Sequence, residues 1–348
     1  MEVLIAGAGP TGLVLAIELA RRGVGVRIVD RAAAFPTGSR GDALAPDTLE
    51  IFDDLGLIDG VLAEGHLKYP MRIYHDGEFV KQRETAPRKE PLPDRPYRNM
   101  WLLGQARLEE LLRARLAVLG VRVELGTEVT GFSQDADAVT VRLPGETVRA
   151  RYLVGADGGK SFVRRALGVA FPGETDESTR MMICDVVADD LDRACSHWFT
   201  TAAAPASGVA LVPVSGQPPY FQLRVPLPAD ALPDVRQVLD RVPVRVPVRV
   251  GDVAWSTVLR SNLRVAERFR VGRVFLAGDA AHVHPPTGSY GLNTGVEDAY
   301  HLGWRLAAGL SGSPEPLDDY EPERHMVATE IHAEVTGLMR RYGVDRPQ

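Results

Sequence analysis

The hexapeptide Gly7-Ala8-Gly9-Pro10-Thr11-Gly12 follows directly on the apolar run Val3–Ala6 and opens an apolar helical segment over residues 13–22. No other feature constrains the fold as strongly. Glycines at this spacing permit a tight turn, close backbone approach to a pyrophosphate and close packing of helix on strand. The start of the helix adds N–H donors and positive potential suited to an anion. A second strand over 26–30 ends on Asp30, eighteen residues beyond Gly12, where a carboxylate can accept hydrogen bonds from a ribose diol. Strand, turn, helix and strand make the beginning of a βαβ unit built for a dinucleotide.

The apolar opening could be mistaken for a secretory signal or a membrane span. It lacks a basic leading region, and its glycines fall where a phosphate-binding turn needs them, so neither is expected. With 45% apolar and 25% charged residues over 348 positions, the chain has the composition of a globular protein with room for two interleaved domains. Its formal net charge of −6 argues against a nucleic-acid partner and leaves a small molecule as the expected one. Cys184 and Cys195 cannot form a disulfide framework and have no metal-ligand spacing, so a reducing cytoplasm and no metal are expected.

Farther along, Leu108, Leu111, Leu112, Leu116 and Leu119 line one face of a helix over 105–119, with Gly120 as its C-cap. Strands are expected over 121–125, 138–143 and 152–156, then a short helix over 161–167. Between about 175 and 262 the pattern changes to longer, alternating strands, such as 208–213, 220–225 and 252–259, which suit an antiparallel sheet. The stretch 242–250 alternates Val with Pro and Arg and reads as an edge strand or extended connector. Residues 84–96, with four prolines, read as a surface loop. A buried strand returns over 273–277, and a helix over 294–310 starts with capping-box spacing at Thr294 and Glu297.

Two more strand-to-helix junctions carry chemistry. One is Gly155-Ala156-Asp157-Gly158-Gly159-Lys160-Ser161; the other is Leu276-Ala277-Gly278-Asp279-Ala280-Ala281-His282, whose Asp279 sits at the carboxyl end of a buried strand, where ligands of α/β sheets bind. The three motifs in this order, with Asn262 to Ala266, Asn293 to Ala299 and Leu317 to Arg324, resemble the group A flavoprotein monooxygenases, the p-hydroxybenzoate hydroxylase-like family of phenol and aromatic polyketide hydroxylases. The resemblance covers almost the whole chain. It implies an α/β fold: a split Rossmann-like FAD-binding domain of the glutathione-reductase type over 1–70, 100–172 and 263–348, interleaved with an α+β substrate domain built on an antiparallel sheet over 71–99 and 173–262.

Residue by residue, the resemblance implies that Gly7, Gly9, Pro10, Thr11 and Gly12 form the FAD pyrophosphate turn, with Asp30 and Arg31 at the adenosine end. Arg40 and Gln105 would reach the flavin or its phosphates, and the backbone of Val129 would meet the adenine. Asp157 would buttress the motif shared by FAD and the nicotinamide, and Gly278 and Asp279 would bind the ribityl chain. Gly291, Leu292 and Asn293 would offer backbone groups to the pyrimidine edge of the isoalloxazine. The family usually shows two glycines, Gln or a similar residue, then Gly before its Leu-Asn pair; here the run is Gly288-Ser289-Tyr290-Gly291-Leu292-Asn293. Tyr290 could hydrogen-bond a substrate or the flavin, or simply crowd the pocket and alter how the ring swings; with Arg40 it is taken as a candidate catalytic side chain. His282 and His284 lack the neighbours of a metal shell.

The implied reaction uses NADPH or NADH as a transient reductant of FAD. Dioxygen then adds at the flavin C4a carbon, and the peroxide transfers one oxygen to a small aromatic or polyketide substrate. Related outcomes are a Baeyer-Villiger-type or antibiotic-inactivating oxygenase, a halogenase, or flavin binding without turnover. The Trp-x-Trp-x-Ile-Pro motif of the tryptophan halogenases is absent. Many relatives continue into a thioredoxin-like domain; without it, a monomer or weak homodimer is expected.

Overall fold

Val3–Ala6 is buried on both faces, in keeping with its unbroken run of apolar residues, and so sits inside a parallel sheet covered on two sides. The computed structural model describes every residue except 39–40, 206, 216–219, 228–233, 242–243, 286–288, 314 and 342–348. Val3–Ala6 pairs in parallel with Val26–Val29 on one side and Tyr152–Gly155 on the other. Val123–Glu124 extends the sheet beyond Val26–Val29, and Val274–Leu276 extends it beyond Tyr152–Gly155, both in parallel. Arg270–Val271 closes that edge antiparallel.

Helix Pro10–Ala20 packs against both Gln105–Val118 and Tyr290–Leu310. At Gly303 an added Cβ would lie 2.3 Å from Cγ of Glu18, so the small residue sets how closely the long helix approaches the first one. One hydrophobic core unites this sheet and its helices.

A second sheet of eight strands has the order His282–Val283, Val253–Val265, Gly173–Val187, Tyr220–Pro226, Gly208–Pro213, Ser196–Thr200, Met71–His75, Glu78–Arg83. Its pairings are antiparallel except that Ser196–Thr200 runs parallel to Met71–His75. Met182, Cys184, Val186, Phe221, Leu223 and Val225 point into its own core. Strand alternation therefore puts Ile183, Asp185, Gln222 and Arg224 on the opposite face.

Two expectations change. The long helix begins at Tyr290, four residues before Thr294. Its N-cap is Ser289, held at φ +59, a left-handed conformation that gave no capping signal in the sequence. The capping box at Thr294 and Glu297 does not form, because Thr294 lies inside the helix. Its hydroxyl donates back to the Tyr290 carbonyl at 2.8 Å, while Glu297 pairs with Arg324 at 3.1 Å. The stretch 242–250 keeps to the connector reading: 244–250 pair with no strand, and 242–243 lie outside the described residues.

Candidate functional site

The carboxyl edge of the parallel sheet gathers the three glycine-containing junctions. Gly7 has φ +106, and a Cβ there would lie 2.2 Å from the Ala156 carbonyl oxygen, so the first turn rests directly on the second motif. A Cβ on Gly12 would come within 2.0 Å of the Gly7 oxygen, which is how the helix starts so near the strand. Gly9 differs from both: its φ is −75, and no atom lies within 4 Å of where its Cβ would be. Pro10 occupies the first turn of the helix, and no side chain caps its N-terminus. The open space at Gly9 and the uncapped N–H groups together form a cradle for an anion.

Asp30 is half-buried at the end of its strand, where its carboxylate accepts from the N–H of Ala8 and of Ala32, each at 2.8 Å. Each oxygen keeps a further lone pair for a hydroxyl donor. Arg31 beside it is exposed, and Val129 is buried within the main core. Gln105 opens its helix by donating its backbone N–H to Gly41 at 3.0 Å, and its side chain donates to Glu109 at 2.8 Å. A Cβ on Gly41 would be 3.8 Å from Cδ1 of Leu292 and 3.9 Å from Oε1 of Gln105, so these three segments meet. Arg40 lies outside the described residues.

Asp157 caps the short helix Phe162–Ala166, accepting from Phe162 N–H at 2.7 Å and Val163 N–H at 3.1 Å. Gly278 has φ +60, and a Cβ there would lie 2.5 Å from the Thr11 hydroxyl; a Cβ on Gly295 would lie 2.5 Å from the same oxygen. Thr11 thus joins the first motif, the third motif and the long helix. Asp279 is exposed, and the Cβ position of Gly291 is 3.9 Å from its Oδ1. The Asn293 amide makes four hydrogen bonds. It accepts from Ala45 N–H at 2.8 Å and the Thr48 hydroxyl at 2.7 Å, and donates to the carbonyls of Ala43 at 3.0 Å and Ser289 at 2.7 Å. Its hydrogen-bonding capacity is filled, so Asn293 anchors the loop and leaves contact with a ligand to the backbone.

Tyr290 turns toward the C-terminal helix Tyr320–Arg341. Burial, with the Glu334 carboxylate adding to it, pushes its phenol up to about 12, and its ring meets His284 edge-on with centroids 6.4 Å apart. Burial, with His282 adding to it, pulls His284 down to about 3, so this imidazole is neutral at physiological pH; neither of its ring nitrogens has a partner among the described residues.

Three features escaped the sequence reading. Arg224 donates to Asp42 at 2.7 Å and to Gln222 at 2.7 Å, tying the polar face of the eight-stranded sheet to the segment that leads into Ala43–Leu44. In register across that face lie Trp255, Asp185 and Gln222. A Cβ on Gly38 would fall 1.9 Å from the Trp255 ring, which packs directly on the glycine. The third feature is Asp298, wholly buried between Gly278, His282 and Arg324. Sequence separations of 182 residues for Arg224 and Asp42, and 26 for Arg324 and Asp298, carry no local periodic signal.

The residues present fit a flavin dinucleotide. Gly9 leaves room for a pyrophosphate at an uncapped helix N-terminus, and Asp30 and Asp279 stand at the carboxyl ends of strands in the same sheet. The FAD binding domain family matches residues 1–335. A flavin-dependent monooxygenase of Mycobacteroides abscessus is 44% identical, with the alignment covering 98% of this chain and 74% of the relative. A rifampicin monooxygenase of Streptomyces venezuelae is 35% identical over 95% of this chain and 69% of its own length. Aklavinone-11 hydroxylase, solved in a ternary complex with FAD and aklavinone, superimposes with a TM-score of 0.83 at 30% identity, covering 98% of this chain and 69% of that one. With its FAD binding domain spread over nearly its full length and its fold shared with the aromatic hydroxylases, the chain belongs to the group A flavoprotein monooxygenases.

Proposed function

We propose that the chain catalyses the NADPH- or NADH-dependent insertion of one oxygen atom from O2 into a small aromatic or polyketide-like substrate held between the flavin loop and the polar face of the eight-stranded sheet. The single observation that carries this reading is the meeting of Gly9, Thr11, Gly278 and Gly291 at one sheet edge, with Gln222, Arg224 and Trp255 on the adjoining sheet. The substrate class follows the relatives that act on rifampicin and aklavinone. Electrons balance as substrate, O2, NAD(P)H and a proton giving oxygenated substrate, water and NAD(P)+.

FAD, when bound, would supply the redox chemistry that couples oxidation of the nicotinamide to reduction of dioxygen. The chain's own residues bind and orient. N–H groups at the Pro10–Ala20 N-terminus would hold the pyrophosphate, Asp30 would accept from the ribose, and Asp279 would accept from the ribityl hydroxyls. The N-terminal turn of Tyr290–Leu310, at Gly291, Leu292 and Asn293, would offer N–H donors to the pyrimidine edge, where they would stabilise negative charge. Arg224, partly exposed on that face, orients a phenolic oxygen of the substrate, and the buried Gln222 holds Arg224 in place by accepting from its Nε. The separation of the two hydrophobic cores supports dividing the chain into a discontinuous FAD domain, 1–70, 100–172 and 263–348, and a substrate domain, 71–99 and 173–262.

The test is reconstitution with FAD followed by turnover under 18O2 with NADPH or NADH and a panel of phenols and aromatic polyketides. One 18O atom in the product is the expected result; a protein that never retains FAD would sink the reading. Arg224→Met is expected to raise KM for the substrate by roughly tenfold, because it removes a charged hydrogen-bond donor from the polar face of the sheet. A KM within twofold of the parent chain's would remove Arg224 from the substrate site.

Tyr290 takes a positioning role in this proposal, since burial and the Glu334 carboxylate keep its phenol protonated and its ring packs on His284. Tyr290→Phe is expected to change kcat by less than about threefold; a loss of about a hundredfold, typical of a removed acid-base group, would put the phenol at the reacting atoms instead.

A further inference from the structure

We infer that Asp298 is the positioning residue that fixes the Gly278–Asp279 turn for the ribityl chain, an inference that rests on the FAD-dependent reading above. Asp298 lies on the long helix and has no exposed surface, so it cannot itself touch a ligand in the groove. Its Oδ2 accepts from the Gly278 N–H at 2.9 Å and from Nε2 of His282 at 2.6 Å. Its Oδ1 accepts from Nε of Arg324 at 2.6 Å. One carboxylate oxygen therefore grips the chain on both sides of Asp279.

Gly278 adopts φ +60, a conformation outside the strand geometry that precedes it, and it is buried. Its N–H needs a partner there, since an unsatisfied buried donor costs about 1–3 kcal/mol. An ionised carboxylate only accepts, so Nε2 of His282 carries the hydrogen in that bond. Arg324 also donates to the Thr294 carbonyl at 3.3 Å and to Glu297 at 3.1 Å, which leaves its guanidinium little freedom. From the same C-terminal helix, the Tyr320 hydroxyl donates to the Leu276 carbonyl at 2.9 Å, holding the strand end that leads into the turn. The turn at Asp279 is thus set from behind, by side chains that face away from the groove.

Asp298→Asn keeps the shape, removes the charge, and exchanges one acceptor for a donor. Apoprotein of the full chain is titrated with FAD, following quenching of flavin fluorescence, and is melted without FAD by circular dichroism. The expected result is a dissociation constant raised roughly tenfold or more, the scale of a lost charge-assisted hydrogen bond. Combined with Asp279→Asn, the increase is expected to fall short of the product of the two single increases, because both changes act through one turn. A dissociation constant within twofold of the parent chain's, whatever the melt, overturns the inference, and so does a strictly multiplicative double variant.

Arg324→Lys, which retains a cation but loses the planar donor, serves if the first variant does not fold. It is expected to weaken FAD several-fold, and an unchanged constant overturns the inference equally. Amide hydrogen exchange in the unaltered apoprotein reads the Gly278 bond directly: slow exchange is expected, and exchange at the rate of an open loop rules it out. If the unaltered chain takes up no FAD, the functional reading fails instead, and the Gly278 exchange rate still decides whether Asp298 holds the turn.

Discussion

Gly9→Ala is expected to fold as well as the parent chain and yet bind FAD about a hundredfold more weakly. The backbone at Gly9, with φ −75, is ordinary for any residue, and no atom lies within 4 Å of the added methyl. Folding therefore meets no clash, and the loss of unfolded-state freedom on replacing glycine favours the folded form slightly. The methyl instead occupies the space through which a pyrophosphate would approach the helix N–H groups. Gly7→Ala and Gly12→Ala supply the contrast. Each would drive a Cβ to within 2.2 Å or 2.0 Å of a carbonyl oxygen, and Gly7 also holds φ +106, so both are expected to lower the melting temperature of the apoprotein. Calorimetric titration with FAD beside apoprotein melts separates the cases. Full FAD affinity in Gly9→Ala would show that the open space is not the phosphate cradle.

Arg324→Met should cost the fold about 3–5 kcal/mol, because it strips a wholly buried carboxylate of its cation. Burial alone pushes the Asp298 carboxyl up, but the charges of His282 and Arg324 overcome this and hold it well below the usual carboxylate range. A carboxyl depressed in the folded state contributes stability that is complete above its unfolded pKa, about 3.9, and is lost as pH falls toward the lower folded value. The parent chain is therefore expected to gain stability as pH rises from about 2 to about 4. Without Arg324 the burial effect grows relative to its opposition, so that gain shrinks in the variant. Denaturant unfolding at several pH values checks both statements; a loss below about 1 kcal/mol would mean that His282 suffices as the partner of Asp298.

The sequence made the nucleotide-binding half legible because its signals are local. Gly7, Gly9 and Gly12 have separate steric reasons within one turn, and each buried strand is short and continuously apolar. Helix Gln105–Val118 and strand Gly208–Pro213 likewise follow from periodicity within their own segments. Prediction faltered where a local signal competed with a distant partner. Thr294 and Glu297 have the right spacing for a cap, yet Arg324 claims Glu297 and the helix has already begun at Tyr290. A serine in a left-handed conformation at its start has no sequence mark. The parallel pairing of Ser196–Thr200 with Met71–His75 joins segments more than a hundred residues apart, and nothing in either strand specifies its neighbour. The polar row Asp185, Gln222 and Arg224 was equally hidden, since a charged residue in an alternating strand reads as solvent-facing until the opposite sheet is in place.

Trp255 resting on Gly38 means that a single missing methyl group governs the spacing between the sheet and the nucleotide-binding body. Any bulkier residue at 38 would act as a wedge, prising the two apart along the length of the indole. A smaller ring at 255 would let them settle together. The width of the crevice is thus adjustable by one-residue exchanges, a route by which descendants of such a chain could admit larger or flatter molecules.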